Sequence, residues 1–245
     1  MDSGYYATMT ALVARTDALD AAAANLANAQ TAGYRAEQPY FRAVLLGTQS
    51  ASSQLGRAMN DFGVVGGTNL SLSQGEVQRT GNPLDLAIEG QGFFAVSTAN
   101  GVRYTRDGSF HRQQDGRLVT QKGEPVLSGT GAPIAVPPGD VTVGADGAIS
   151  VDGGVVDSVG LFTFPAGTDL KAEGANRYVA PADVKAGAAQ GATVEQGSLE
   201  AANEDVVHGS LDLVVMQRQA EMMQKALTVF HTEMNKFATE DLPKV

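Results

Sequence analysis

The chain has 245 residues, 43% of them hydrophobic, with a formal net charge of −10 and a sequence pI near 4.7. That length suits one β domain with appended helices, and the acidic balance argues against nucleic acid, whose binders gather Lys and Arg into a patch. Cysteine is absent, which removes disulfides, thiolate metal sites and cysteine nucleophiles together.

At the amino end the apolar or small residues recur at heptad spacing through Tyr5, Met9, Leu12, Thr16, Leu19, Ala23 and Leu26. This predicts a helix with a coiled-coil-like seam. Alanine-rich flanks favour helix and close approach of a neighbour, and Gly33 supplies a stop. At the carboxyl end the same spacing of three or four runs through Val206, Gly209, Leu213, Met216, Ala220, Met223, Leu227, Phe230, Met234 and Phe237. Asn203, followed by Glu204 and Asp205, reads as an N-cap with carboxylates at the positive end of the dipole, and Pro243 lies just past a sensible end. At ~1.5 Å per residue the two helices would run about 40 and 50 Å. Rods of that length are marginal alone, so neighbouring subunits are expected to cover the seams; the alternative is that the two helices pair within one chain.

Between the helices five turn dipeptides, Asn100-Gly101, Asp107-Gly108, Asp115-Gly116, Asp146-Gly147 and Asp152-Gly153, separate short apolar runs. These runs are Leu84 to Ile88, Phe93 to Val96, Val102 to Thr105, Arg117 to Thr120, Val141 to Val143, Ile149 to Val151 and Val155 to Phe164. The pattern predicts an antiparallel β domain. The expected class is therefore α+β, with long coiled-coil-like terminal helices flanking a β-rich middle. Its expected parts are the N-terminal helical segment 1–46, an extended connector 47–79, the β domain 80–186, a second connector 187–202 and the C-terminal helix 203–245. No segment has ~18 consecutive apolar residues, so direct membrane insertion is not expected, and the opening lacks the basic start of a cleavable signal.

The candidate chemistry is weak. His111, His208 and His231 have no metal-ligand spacing. Gly90-Gln91-Gly92 lacks the third glycine of a nucleotide loop and runs on as strand. Asp85 and Glu89, four apart in a strand, would stand roughly 13 Å from each other, beyond the usual glycosidase separations. Neither catalytic residues, metal nor cofactor are expected, and the methionines of the second helix suit an adaptable interface.

Several segments resemble one family. Ala24-Asn25-Leu26-Ala27-Asn28, continuing through Thr31 to Gly33-Tyr34-Arg35, is similar to the amino-terminal signature of flagellar rod and hook axial proteins. Thr80-Gly81-Asn82-Pro83-Leu84-Asp85-Leu86-Ala87-Ile88-Glu89-Gly90-Gln91-Gly92-Phe93-Phe94 resembles the segment that opens their β domain. Further likeness lies in Tyr104 to Phe110, Gly116 to Gly123, Val143 to Gly147 and Gly197 to Asn203, so that it spans nearly the whole chain. The length, the Met1-Asp2 opening, Phe41-Arg42-Ala43-Val44 and Pro137-Pro138-Gly139 look more like the proximal than the distal rod members. One departure is Asn203-Glu204-Asp205, where the family often carries Asn-Val-Asn.

The resemblance implies a non-enzymatic rod subunit, exported through the flagellar type III apparatus without signal cleavage. It would assemble in the periplasmic space into a helical, torque-bearing stack with itself or other rod proteins. Assembly residues are then expected at Met9, Leu12, Leu19, Asn25, Leu26 and Asn28, and at Val206, Leu213, Met216, Met223, Leu227, Phe230, Met234 and Phe237. A distal rod or other axial protein is the near alternative, and a carbohydrate-active periplasmic enzyme the remote one.

Overall fold

The computed structural model describes residues 2–42 and 64–240. Much of the expected connector 47–79, the motif residues Ala43 and Val44, and Pro243 lie outside the described residues. The chain divides into two units, one holding both terminal helices and the other most of the strands.

In the first unit, helix α1 (Asp2–Ala27) and helix α2 (Val206–Glu240) pack against each other, and strands β1 (Glu37–Arg42) and β2 (Val64–Leu70) pair. One helix at each end with strands between is α+β in broad terms, but the coiled-coil-like character expected of the helices is corrected. A coiled-coil seam would bury its large residues as knobs. On α1, Met9 is exposed and Leu12, Leu19 and Leu26 are only half-buried, whereas Ala14, Ala18, Ala21, Ala22 and Asn25 are buried. The buried row Ala14, Ala18, Ala21, Asn25 has the same four-and-three spacing in a different register. Alanines carry no knob and let two helices lie close, so α1 meets α2 along its small side chains. The two helices pair within the chain, which was the alternative, and this pairing leaves the expected α1 seam residues Met9, Leu12, Leu19 and Leu26 exposed or half-buried.

In the second unit six strands form one antiparallel sheet: β5 (Phe93–Thr98), β6 (Gly101–Thr105), β12 (Leu161–Thr163), β13 (Lys171–Ala172), β14 (Arg177–Val179) and β15 (Gly187–Ala188). Their order is β13-β14-β6-β5-β12-β15. A three-stranded sheet joins β9 (Val141–Val143), β10 (Ala148–Val151) and β11 (Gly154–Ser158), with β10 central. Three pairs complete it. In these, β3 (Val77–Arg79) lies with β17 (Ser198–Glu200), β4 (Leu86–Glu89) with β16 (Thr193–Gln196), and β7 (His111–Arg112) with β8 (Leu118–Val119).

The sequence at β5 explains its central place. Period-two alternation sends Phe94 and Val96 into the main core with Leu86, Ile88, Phe110 and Ile149, and sends Phe93 to a second cluster with Leu170 and Tyr178. Turn chemistry sets the hairpins. Asp152 and Gly153 both have positive φ between β10 and β11, the conformation of a primed two-residue turn.

Two expectations differ here. Val155 to Phe164 is not one strand, because the chain leaves the three-stranded sheet after β11 and joins the six-stranded sheet at β12. Gly160, between them, donates to the Leu127 carbonyl, and a Cβ there would stand 2.7 Å from the Ser128 oxygen. Asp107-Gly108 is not a hairpin turn either. Gly108 lies so close to β4 that a Cβ would stand 1.7 Å from the Leu86 oxygen, and its carbonyl accepts from Leu86 N. Close backbone approach, not a left-handed φ, requires glycine there.

Candidate functional site

The motif segments quoted above converge on one buried charged group. Arg35 and Glu200 are 2.7 Å apart, and Arg106 reaches the other carboxylate oxygen at 2.8 Å; all three side chains are almost wholly buried. Glu200 Oε1 also accepts from Gly75 N at 2.8 Å. The two guanidiniums spread their remaining bonds over backbone: Arg35 Nη1 donates to the Ser73 carbonyl, and Arg106 donates to the carbonyls of Ile88 and Gly90. The Phe93 ring lies 5.5 Å below the Arg106 guanidinium carbon, a favourable cation–π contact. Burial pulls Arg106 below its ordinary pKa, and Glu200 acts in the opposite sense.

The group carries two positive charges and one negative. Arg35 Nε and Nη2 and Arg106 Nε are buried without a hydrogen-bond partner among the described residues. Such a triad contributes little net stability as a whole, but loss of one member strands a buried charge.

Around it the nine residues after α1 are tied down by backbone. Gly33 N donates to the Glu200 carbonyl, and Arg35 N donates to Tyr178 Oη. Asn176 Nδ2 donates to the Ala32 carbonyl. Gly33 has φ +67°, and a Cβ there would stand 2.2 Å from Asp107 N, so glycine is required on both counts. Asn203 is not the helix cap expected of it. Its Oδ1 accepts from Ala36 N, and its Nδ2 donates to the carbonyls of Ser71 and Ser73; α2 begins only at Val206. Tertiary partners outcompete the local cap. Asn25, within the helical unit, makes the matching gesture: its amide exchanges two 2.9 Å hydrogen bonds with the backbone of Glu37.

The other expected assembly residues are distributed along the helices. Asn28 sits just past α1, half-buried. Val206 is exposed at the first turn of α2, while Leu213, Met216, Met223 and Leu227 are half-buried. The backbone of Phe230, Met234 and Phe237 is helical, and their side chains lie outside the described residues. Reasoning from the sequence missed Arg106, Glu200 and Gly75 as a group; the available signal was that an Arg and a Glu each stood inside a quoted motif segment, Tyr104 to Phe110 and Gly197 to Asn203.

A family model described as the flagellar hook protein FlgE/F/G D1 domain matches residues 87–151. The flagellar basal-body rod protein FlgF of Mesorhizobium japonicum is 35% identical over 225 residues, 90% of each chain, and that of Caulobacter vibrioides is 34% identical over the full length of both. The chain belongs to the flagellar basal-body rod protein family. The rod protein FlgG of Bacillus subtilis is 30% identical over 86% of this chain and 88% of its own, so this rod protein is more like those two FlgF relatives than that FlgG. The matched D1 segment runs from β4 to β10 and contains Arg106; Glu200 lies outside it and bonds to Arg106, and Arg35, also outside it, bonds to Glu200.

Beside the triad is a cavity of about 240 Å³, whose wall includes Arg35, Gln91, Phe93, Arg106 and Phe164. The rest of its wall is Leu72, Gly92, Thr163, Pro165, Ala166, Gly167, Thr168 and Leu170. Farther off, Arg103 and Glu173 form a fork-shaped ion pair, with Nη2 donating to Oε1 at 2.9 Å. Its hydrogen bond lowers the Glu173 pKa and raises that of Arg103.

Proposed function

We propose that this chain is a structural subunit of the flagellar basal-body rod that joins other rod components through its terminal helices and transmits torque. The observation carrying this reading is the alignment with rod proteins over 90% or more of both chains. It takes in the helices as well as the β domain. The triad supports a load-bearing role, because it anchors the segment after α1 and the strand before α2 to the β domain by buried, charge-assisted bonds. In this reading Met9, Leu12, Leu19, Leu26, Val206, Leu213, Met216, Met223 and Leu227 offer their remaining area to neighbouring subunits, and Phe230, Met234 and Phe237 are further assembly residues of the same helix. Asn25 and Asn28 set the exit of the chain from α1.

The finer parts of the proposal are a proximal position in the rod, a periplasmic setting, export through the flagellar type III apparatus without cleavage, and no catalytic activity. The greater likeness to FlgF than to FlgG favours the proximal position. No described helix is long and apolar enough to cross a membrane.

A strain lacking this chain is expected not to swim, and to swim again when the full chain is supplied; normal swimming by the deletion strain overturns the reading. Mass spectrometry of the amino terminus of chain recovered from basal bodies tests export, with an uncleaved terminus expected.

A further inference from the structure

One edge of the Arg35 guanidinium is unmet. Its Nη1 is engaged by Glu200 and the Ser73 carbonyl, whereas Nε and Nη2 are buried without a hydrogen-bond partner among the described residues, as is Nε of Arg106. Nε and Nη2 lie side by side on a guanidinium and form the planar two-pronged donor that matches both oxygens of a carboxylate. Charge is unbalanced in the same place. Two buried guanidiniums share the single carboxylate of Glu200, which leaves one positive charge out of water without a counter-charge, a costly arrangement. Burial and the neighbouring Arg35 cation both pull Arg106 below its ordinary pKa, and Glu200 opposes them.

Both guanidiniums stand on the wall of the cavity, and they are the ionisable groups of its described lining. The remainder is largely apolar, with Leu72, Phe93, Phe164 and Leu170 among it. Cationic donors combined with aromatic and aliphatic surface fit a ligand that has one anionic end and an apolar body. Size sets the scale. An apolar cavity of about 150 Å³ holds benzene, so the 240 Å³ here accommodate a ring or short aliphatic body together with a carboxylate.

We propose that this cavity binds a small monocarboxylate with an apolar body, its carboxylate held by the Nε/Nη2 edge of Arg35 beside Arg106 and its body against Phe93, Phe164 and Leu170. The bound carboxylate balances the second guanidinium and completes the charge of the triad. One excess positive charge calls for a monoanion, and the apolar wall offers nothing to a compact, strongly hydrated anion such as sulfate. The unmet edge is closed to solvent, so the carboxylate enters as the wall opens around Arg35. Every residue of this site belongs to the β-rich unit, and the proposal goes beyond the part that the helices play in assembly.

Isothermal titration calorimetry of the purified full chain with hydrocinnamate tests it, against hydrocinnamyl alcohol, which keeps the body and removes the charge. Hydrocinnamate is expected to bind at a single saturable site with a dissociation constant in the millimolar range or below, and the alcohol at least tenfold more weakly. Ala166→Phe fills the cavity from an exposed position on its wall that makes none of the triad's bonds. It is expected to weaken hydrocinnamate binding at least tenfold with an unchanged melting temperature. Arg35→Lys keeps the charge and removes the fork, and is expected to weaken binding by the same factor; if that variant does not fold, Ala166→Phe decides alone. Absence of saturable binding by hydrocinnamate overturns the proposal. So does equal affinity for the alcohol, or a folded Ala166→Phe or Arg35→Lys chain that binds as tightly as the unaltered one.

Discussion

Arg35 and Glu200 lie at opposite ends of the chain's β-rich unit in sequence, yet they meet at 2.7 Å with side chains almost completely buried. Arg106 completes the group from the turn that follows β6. The contact makes a strong prediction. Glu200→Gln leaves two guanidiniums buried without a counter-charge, and the penalty for breaking a buried ionic group of this kind is about 3 to 5 kcal/mol. Urea denaturation of the purified chain measures it; a loss below about 1 kcal/mol would mean that the triad is dispensable.

Glycine positions allow a controlled comparison. Gly33 and Gly123 both have left-handed φ, at +67° and +80°, but a Cβ at Gly33 would collide with the backbone of Arg106 and Asp107, whereas nothing lies within 4 Å at Gly123. Gly123→Ala is expected to cost about 1 kcal/mol for backbone conformation alone. Gly33→Ala should cost at least twice that, because backbone must shift as well. Equal losses in thermal or urea denaturation would refute the close approach.

Asn203 separates tertiary anchoring from helix capping. Asn203→Ala removes one acceptor and the donors to Ser71 and Ser73, and at about 1 kcal/mol per hydrogen bond the loss is roughly 2 to 3 kcal/mol. Asn203→Asp is a good N-cap residue but cannot donate to those carbonyls. It is expected to destabilise as well. An Asp variant as stable as the unaltered chain would restore the capping explanation.

The strands were largely legible in the sequence and the helix packing was not. Alternation around Phe93 to Val96 and the Asp152-Gly153 turn are local signals, and a strand or hairpin is specified within a few residues. The register of α1 is a different problem. Two rows share the four-and-three spacing, one with Leu12, Leu19 and Leu26 and one with Ala14, Ala18 and Ala21, and hydrophobicity favours the first. The second is buried because small side chains let α2 come close, a property of the pair and not of either helix. The triad was hidden for a similar reason. Arg35, Arg106 and Glu200 each stood within a recognised motif, but nothing local says that three distant charges share one site.

The Arg103–Glu173 pair predicts an acid limb to stability. Pairing holds the folded Glu173 carboxyl below its ordinary 4.5, so its contribution is complete above the unfolded pKa and is lost as pH falls through the folded value. Carbon-13 NMR titration of the Glu173 carboxyl should give a depressed midpoint that returns toward 4.5 in Arg103→Gln. An unchanged midpoint in that variant would remove Arg103 as the cause.

The claim that this chain is a building block of the rod is tested most directly by quantitative mass spectrometry of basal bodies purified from swimming cells. The account predicts the chain in those particles at a fixed ratio to the other rod components from one preparation to the next. Rods complete in every other component but devoid of this chain would contradict it.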